Sequence, residues 1–105
     1  MAIKQLTVFV ENKQGTVVSI TDTLSKHSIN LRALSIADTQ DFGILRIICD
    51  DPKNAEAALK DGGYITTVTD VLAAAISDTP GSLATILEVL SDANAVVEYT
   101  YAFNS

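Results

Sequence analysis

The sequence of 105 residues contains no tryptophan, one cysteine and two prolines, and its thirteen acidic residues outnumber seven basic ones. The lone cysteine, Cys49, cannot form an internal disulfide or a CxxC redox or metal site, so we interpret it as a small buried apolar residue. The net charge of −6, without any basic run, leaves little to neutralise phosphates. The composition therefore argues against sequence-independent binding to nucleic acid.

Long apolar runs are also absent from the sequence. No segment approaches the roughly 18 apolar residues that a membrane-spanning helix needs, and the first residues lead into an alternating pattern rather than the apolar core of a signal peptide. The proportions of hydrophobic and charged residues, 48% and 19%, are those of a compact soluble domain. We therefore predict a cytoplasmic protein that makes no contact with a membrane.

An internal repeat relates two parts of the chain at an offset of 66 residues. The segment LTVFVENKQG at 6–15 aligns with LAAAISDTPG at 72–81. Only five of 34 aligned positions are identical, namely Leu6, Gly15, Ile20, Leu24 and Ser25 in the first copy. The shared pattern is stronger than the identity, because each copy has an apolar alternation, a polar turn that ends in glycine, and a helical period.

The first copy predicts the element order βαββαβ. Alternation along 6–11 indicates a strand with one face on a core, and Val17, Ile20 and Leu24 recur at helical spacing. The predicted elements continue with a helix at 16–26, strands at 29–36 and 42–49, a helix from Asp51-Pro52 to 60–63, and a strand at 64–69. This order is typical of the α+β ferredoxin-like sandwich, in which two helices cover one face of a four-stranded antiparallel sheet of order 4-1-3-2.

The second copy is shorter than the first. It predicts a strand at 71–77, a helix at 82–92 and a strand at 95–103, and about 30 residues that would give the third strand, second helix and fourth strand are missing. The two predicted strands would then lack the partner that lies between them in the usual sheet order. We therefore expect that the sequence is a fragment, or that another chain completes this half.

The turns before the two repeated helices resemble those of a known family. Asn12-Lys13-Gln14-Gly15 and Asp78-Thr79-Pro80-Gly81 each lead from a strand into a helix, and Ser28-Ile29-Asn30 leads from the first helix into the second strand. Together with the repeat, these segments resemble the ACT domain, a regulatory module that binds amino acids. The chain is similar to small bacterial stand-alone tandem ACT proteins, with 1–70 as a first ACT-like domain and 71–105 as a partial second one.

The resemblance implies a free amino acid as ligand at the loop between the first strand and first helix, commonly at an interface with a second ACT unit. In the first copy the matching positions are Asn12, Gln14, Gly15 and Asn30, although Gln14 replaces the usual proline. A helix N-terminus offers N–H groups and partial positive charge to a carboxylate. Asparagine amides carry both donors and acceptors, so they can contact an ammonium and a carboxylate without adding charge.

The matching positions in the second copy are Asp78 and Gly81. Val96 stands where Asn30 stands in the first copy, so we favour the first copy as the binding site. Structural interpretations remain open for these residues, because asparagine is a common turn residue and glycine at a helix entry can serve a backbone of positive φ. Asn30 can likewise serve only to bond neighbouring backbone.

Catalytic chemistry is not predicted. The single histidine, His27, has no nucleophile placed to act with it, and Asp51 is explained as a helix cap rather than half of a metal site. Acylphosphatase shares the ferredoxin-like fold, but its loop arginine is absent from 11–15, and RNA-recognition modules carry basic and aromatic residues that are scarce here. We expect no enzyme, no cofactor and no metal; the main alternative is a protein–protein interaction module without a metabolite.

Assembly is suggested by the second face of the predicted sheet. Phe9 points away from the helices, and Ile44 and Ile48 share its face in some registers. A sheet face this apolar is seldom left in water. We expect a second ACT unit or another chain to cover it, most simply in a homodimer with two-fold symmetry.

Overall fold

The protein is described by a computed structural model, which places residues 2–11, 15–38, 42–95, 97 and 101. Seven elements follow one another in the described part of the chain. They are β1 (Ala2–Glu11), α1 (Thr16–Lys26), β2 (Leu31–Asp38), β3 (Phe42–Cys49), α2 (Pro52–Asp61), β4 (Ile65–Leu72) and α3 (Ser82–Asp92). The first six elements have the predicted order βαββαβ, and the predicted bounds of α1, β3 and α3 are confirmed.

The four strands form one antiparallel sheet in the order β2-β3-β1-β4. In the two central strands Leu6 lies opposite Ile47 and Val8 lies opposite Leu45. This arrangement confirms the α+β ferredoxin-like fold. Because β1 and β2 run in the same direction, both strands finish at the same end of the sheet, and β2 begins at the opposite end.

The hydrophobic core lies between the sheet and the first two helices. Its buried members come from β1, β3, α1, α2 and the segment before β2, and they are Leu6, Val8, Ile20, Leu24, Ile29, Leu45, Ile47, Cys49, Ala55 and Leu59. Each helix contributes the apolar side of its helical period, which is Ile20 and Leu24 for α1. We call the sheet surface without helices the far face; on β1 it carries Gln5, Thr7 and Phe9.

The start of α2 confirms the predicted cap. The backbone amide of Asn54 donates a hydrogen bond of 3.2 Å to the Asp51 carboxylate, and Pro52 occupies the first turn. Proline is tolerated there because its missing N–H would have no helical acceptor. The helix ends at Gly62, so the cap signals in the sequence place both ends of this element.

The predicted strand at 71–77 is wrong. Val71 and Leu72 instead continue β4, where they lie opposite Ile3 and Ala2, and 73–77 have no regular structure. Leu72 pairs with Ala2, the first described residue of β1. The residues after Leu72 therefore have no described residue of β1 to pair with. Residues 95, 97 and 101 are not in a strand, and the other residues of the predicted strand at 95–103 lie outside the described residues.

The offset of 66 residues reappears in the backbone of the two repeated helices. Both span eleven residues and follow a glycine of positive φ (85° at Gly15 and 90° at Gly81). Two residues after the end of each helix the chain again has a positive φ (58° at Ser28 and 60° at Asn94). The amides of Ile29 and Ala95 close the helix ends by bonding to the carbonyls of the two equivalent leucines, at 3.0 and 2.9 Å. The repeat is therefore a repeat of local structure.

None of the described helices is both long and apolar enough to cross a membrane.

Candidate ligand-binding site

The entry to α1 has a backbone that is open to a ligand. Gly15 adopts the left-handed conformation, and among the described residues no side-chain hydrogen bond caps the helix. The first helical hydrogen bond runs from the Ser19 amide to the Gly15 carbonyl at 2.9 Å, so the amides of Val17 and Val18 precede the helical ladder. Such amides, at the positive end of the helix dipole, favour an anionic group.

A hollow of about 340 Å³ borders this helix entry. Its lining comes from the end of β1, the first residue of α1 and the turn into β4, and consists of Phe9, Val10, Glu11, Thr16, Gly63, Tyr64 and Ile65. The Tyr64 hydroxyl lies 2.7 Å from the Ser19 hydroxyl, which ties the turn before β4 to α1. The described lining therefore combines apolar residues with a carboxylate-bearing residue and two hydroxyl-bearing residues, and it borders the start of α1.

Charge in the hollow is complementary to a zwitterion. Among the described residues of its lining, Glu11 is the one acidic or basic side chain. A carboxylate attracts an ammonium group, and the start of α1 attracts a carboxylate. The hollow is thus suited to a small molecule that carries both charges.

Asn30 lies at the opposite end of α1 from Gly15. The helix of eleven residues between them has a length of about 16 Å. The backbone amide of Asn30 donates a hydrogen bond of 3.0 Å to the Asp50 carboxylate, and the backbone amide of Asp50 donates one of 3.2 Å to the backbone carbonyl of Asn30. Within one unit, Asn30 and Gly15 are therefore too far apart to contact the same amino acid.

A second, shallower hollow surrounds Asn30. It measures about 400 Å³ and is lined by residues of the last turns of α1 and the start of β2: Thr21, Ser25, Ser28, Ile29, Asn30 and Leu31. No ionisable side chain occurs among the residues that the structure describes in this lining. It lacks the charge pair of the hollow at the α1 entry.

The remaining predicted positions are in the second copy or outside the described residues. Asn12 and Gln14 lie outside the described residues. Gly81 opens α3 with the same left-handed backbone as Gly15, and Asp78 is exposed in the preceding turn. That turn also holds three hydroxyl groups in mutual contact, since those of Ser77, Thr79 and Ser82 lie 2.8 to 2.9 Å apart.

Two residues with chemistry of their own lie away from the hollows. The His27 ring nitrogen Nδ1 lies 2.8 Å from the Thr23 carbonyl on the exposed side of α1. Burial raises the pKa of the Cys49 thiol, and the nearby Asp50 and Asp51 charges add to the increase against the opposing backbone hydrogen bond from Asp51. In the described part of the chain no three His, Cys, Asp or Glu side chains form a group that could hold a metal ion.

Sequence reasoning did not identify Glu11, Thr16 or Tyr64 as part of the candidate site. Glu11 and Thr16 flank the predicted turn, so their position next to a helix entry was available as a signal. Tyr64 is 48 residues beyond Thr16 in the sequence. Only the pairing of β1 with β4 brings Tyr64 to the end of the sheet where α1 begins. Local sequence carries no sign of that neighbour.

The family model for an ACT domain pair matches residues 1–105. The chain belongs to the ACT domain family. ACT domains are regulatory, non-catalytic modules that generally bind amino acids. The resemblance seen in the helix entries and in the repeat is therefore confirmed at the level of the family, as is the tandem arrangement.

Solved structures of other proteins share the fold. Protein BT0572 from Bacteroides thetaiotaomicron is 45% identical, with a TM-score of 0.93; the match covers 100% of this chain and 73% of that one. The ligand-free regulatory subunit of aspartate kinase from Thermus thermophilus is 12% identical, with a TM-score of 0.72, over 97% of this chain and 80% of that one. At that identity the likeness shows the ACT fold alone. No curated protein sequence matches the chain.

Proposed function

We propose that this ACT domain pair is a non-catalytic, cytoplasmic regulatory protein that binds a free amino acid at the entry to α1. The observation that carries the proposal is the hollow beside that entry, whose described lining combines apolar residues, the carboxylate-bearing Glu11 and Thr16, the first residue of α1. The membership of the ACT family supports the same class of ligand.

The ligand carboxylate is directed to the amides at the start of α1, and its ammonium group to Glu11. The side chain of the ligand lies against Phe9, Tyr64 and Ile65. Hydrogen bonds to charged groups contribute about 1.5–3 kcal/mol each. Two or three of them support micromolar to millimolar affinity, which suits a sensor of metabolite levels.

A homodimer gives Asn30 a place at the same site. β2 is an edge strand, and Leu34 and Ile36 on it, with Val18 on α1, expose apolar side chains. Antiparallel pairing of β2 with β2 of a second copy would bring the start of one strand to the end of the other. Asn30 of the second copy would then lie at the end of the sheet where α1 of the first copy begins. A single unit does not permit this arrangement.

Thermal denaturation of the full chain with each of the twenty amino acids at millimolar concentration tests the proposal. A ligand at 100 times its dissociation constant stabilises the fold by about 2.7 kcal/mol. We expect Glu11→Gln to weaken binding about tenfold or more, because it removes the charge that faces the ammonium group. Glu88→Gln on the exposed side of α3 is the matched control and should leave the affinity unchanged.

Two results would contradict the proposal. One is the absence of any amino acid that raises the melting temperature, and the other is an equal loss of affinity in the Glu11 and Glu88 variants. The homodimer is tested separately by light scattering at tens of micromolar. A monomer there would remove Asn30 from the site and leave the hollow at the α1 entry as the binding proposal.

Exposed apolar side chains on α3 favour a second candidate function, a protein–protein interaction module without a metabolite. Leu83 and Val89 are exposed, and no residue of α3 is buried. Failure of all twenty amino acids to stabilise the chain would favour this candidate over amino-acid binding.

A further inference from the structure

Large apolar side chains are exposed on the far face at the end of the sheet where α1 begins. Phe9 is 39% and Ile65 is 69% exposed, although both belong to regular strands. The register places Phe9 directly between Ile65 of β4 and Ile44 of β3. Side chains that lie opposite each other on neighbouring strands are in contact distance, so these three form one apolar row across the sheet.

The apolar row continues into the hollow at the α1 entry. Phe9 and Ile65 belong to the described lining of the hollow, together with Val10 and Tyr64. The Tyr64 side chain packs against the core, and its hydroxyl already has a partner in the Ser19 hydroxyl at 2.7 Å. Four of the seven described lining residues therefore offer apolar or aromatic surface.

The polar groups of the described lining do not favour a second charge on the bound amino acid. Glu11 is assigned to the ammonium group in the binding mode proposed above, and no lysine or arginine occurs among the described lining residues. A charged or polar ligand side chain placed against the apolar row would lose hydrogen bonds with water that Phe9 and Ile65 cannot replace. An apolar side chain does not incur this cost.

Building on the proposed function, we propose that the amino acid bound at the α1 entry has an apolar side chain, such as that of leucine, isoleucine, methionine or phenylalanine. This side chain lies on Phe9 and Ile65 and removes their exposed surface from water, which favours binding. The volume of the hollow, about 340 Å³, is near the lower end of the range for small-molecule sites and suits one amino acid.

Calorimetric titration of the full chain with two amino acids of like shape tests the proposal. The side chains of L-leucine and L-asparagine have the same branching and differ in polarity. We expect L-leucine to bind about tenfold or more tightly than L-asparagine, because the asparagine amide loses its hydration against the apolar row. L-lysine and L-glutamate should also bind more weakly than L-leucine.

Two substitutions on β4 provide a matched pair. We expect Ile65→Thr to weaken the binding of L-leucine about threefold to tenfold and to change that of L-asparagine little, because it removes apolar surface from the hollow. The strand already contains three threonines, so it accommodates another. Leu72→Thr is the control, since Leu72 is 75% exposed at the other end of β4 and is not among the described lining residues. It should leave both affinities unchanged.

Binding of L-asparagine, L-lysine or L-glutamate as tight as that of L-leucine would overturn the apolar ligand and leave amino-acid binding at the α1 entry in place. An equal loss of affinity for L-leucine in the two variants would also overturn it, because the effect would not be local to the hollow. Binding of none of the twenty amino acids would overturn this inference together with the proposed function. The comparison of L-leucine with L-asparagine needs no substitution, so it decides the question even if a variant does not fold.

Discussion

The two repeated helices have the same local structure and different surroundings. Both α1 and α3 span eleven residues after a left-handed glycine, and their ends are closed by equivalent hydrogen bonds. Yet α1 buries Ile20 and Leu24, whereas α3 buries no residue. The comparison shows that about ten residues of local sequence suffice to set the ends of a helix, while the strands and the second helix around it decide whether it belongs to a core.

The largest expected effect follows from the repeated leucines. Leu24 is fully buried and Leu90, its equivalent at the offset of 66 residues, is half-buried. Leu24→Ala should lower the free energy of unfolding by about 2–5 kcal/mol, because it leaves a cavity in the core. Leu90→Ala should cost less than about 1 kcal/mol. Urea denaturation of both variants checks the difference, and equal costs would mean that α3 is also packed in a core.

The glycines at the helix entries give the next comparison. A Cβ added at either position has no atom of the described residues within 4 Å, apart from its chain neighbours, so the positive φ is the main opposition to alanine. The strain is about 1–2 kcal/mol. Gly15→Ala should lower the free energy of unfolding of the first unit by that amount, and its urea midpoint should fall accordingly. Gly81→Ala should leave the midpoint unchanged and instead raise the hydrogen-exchange rates in α3; a shift of the midpoint by both variants would contradict the separation.

The helix α2 differs from α1 and α3 because a side chain, that of Asp51, caps its N-terminus where the other two have a glycine. Asp51→Ala should cost about 1 kcal/mol, because it leaves the Asn54 amide without its acceptor. Asp61→Ala at the other end of α2 is the control and should be neutral or slightly stabilising, since an acidic residue near a helix C-terminus opposes the dipole. Thermal denaturation of the two variants measures the effect, and an equal loss would reject the capping role.

The smallest expected effect concerns pH. The pKa of Cys49 is raised in the folded state, mainly by burial, so the unfolded chain releases the thiol proton first as the pH increases. The stabilisation is therefore complete below pH 9 and is lost as the pH rises through the higher folded pKa. Relative to Cys49→Ala, the native chain should lose stability above pH 9 in urea titrations. An unchanged difference between the two chains from pH 8 to pH 10.5 would contradict the shift.

Local patterns in the sequence were sufficient for the helices and central strands. Val17, Ile20 and Leu24 give the period of α1, and Asp51-Pro52 marks the start of α2. The strand at 71–77 was wrong because the same apolar alternation also suits an extension of β4, and only the partner at Ala2 and Ile3 decides between them. Alternation indicates a strand but does not indicate its neighbour.

The candidate site could be predicted only in part for the same reason. Gly15 was placed correctly at a helix entry because its effect is local. Asn30 was paired with the entry, although α1 separates the two, since a position in the sequence does not tell which end of the unit it occupies in the assembled sheet. Glu11 is a candidate because it lines the hollow, and Tyr64 reaches that hollow through the pairing of β1 with β4.

The most direct test of the account is a titration of the isotopically labelled full chain with each of the twenty amino acids, followed by backbone amide NMR. We expect at least one amino acid to shift the amides of 9–11, 16–18 and 63–65, which lie in or next to the lining of the hollow at the α1 entry, while the amides of 82–92 in α3 change little. Shifts confined to α3, or no shifts with any of the twenty, would contradict it.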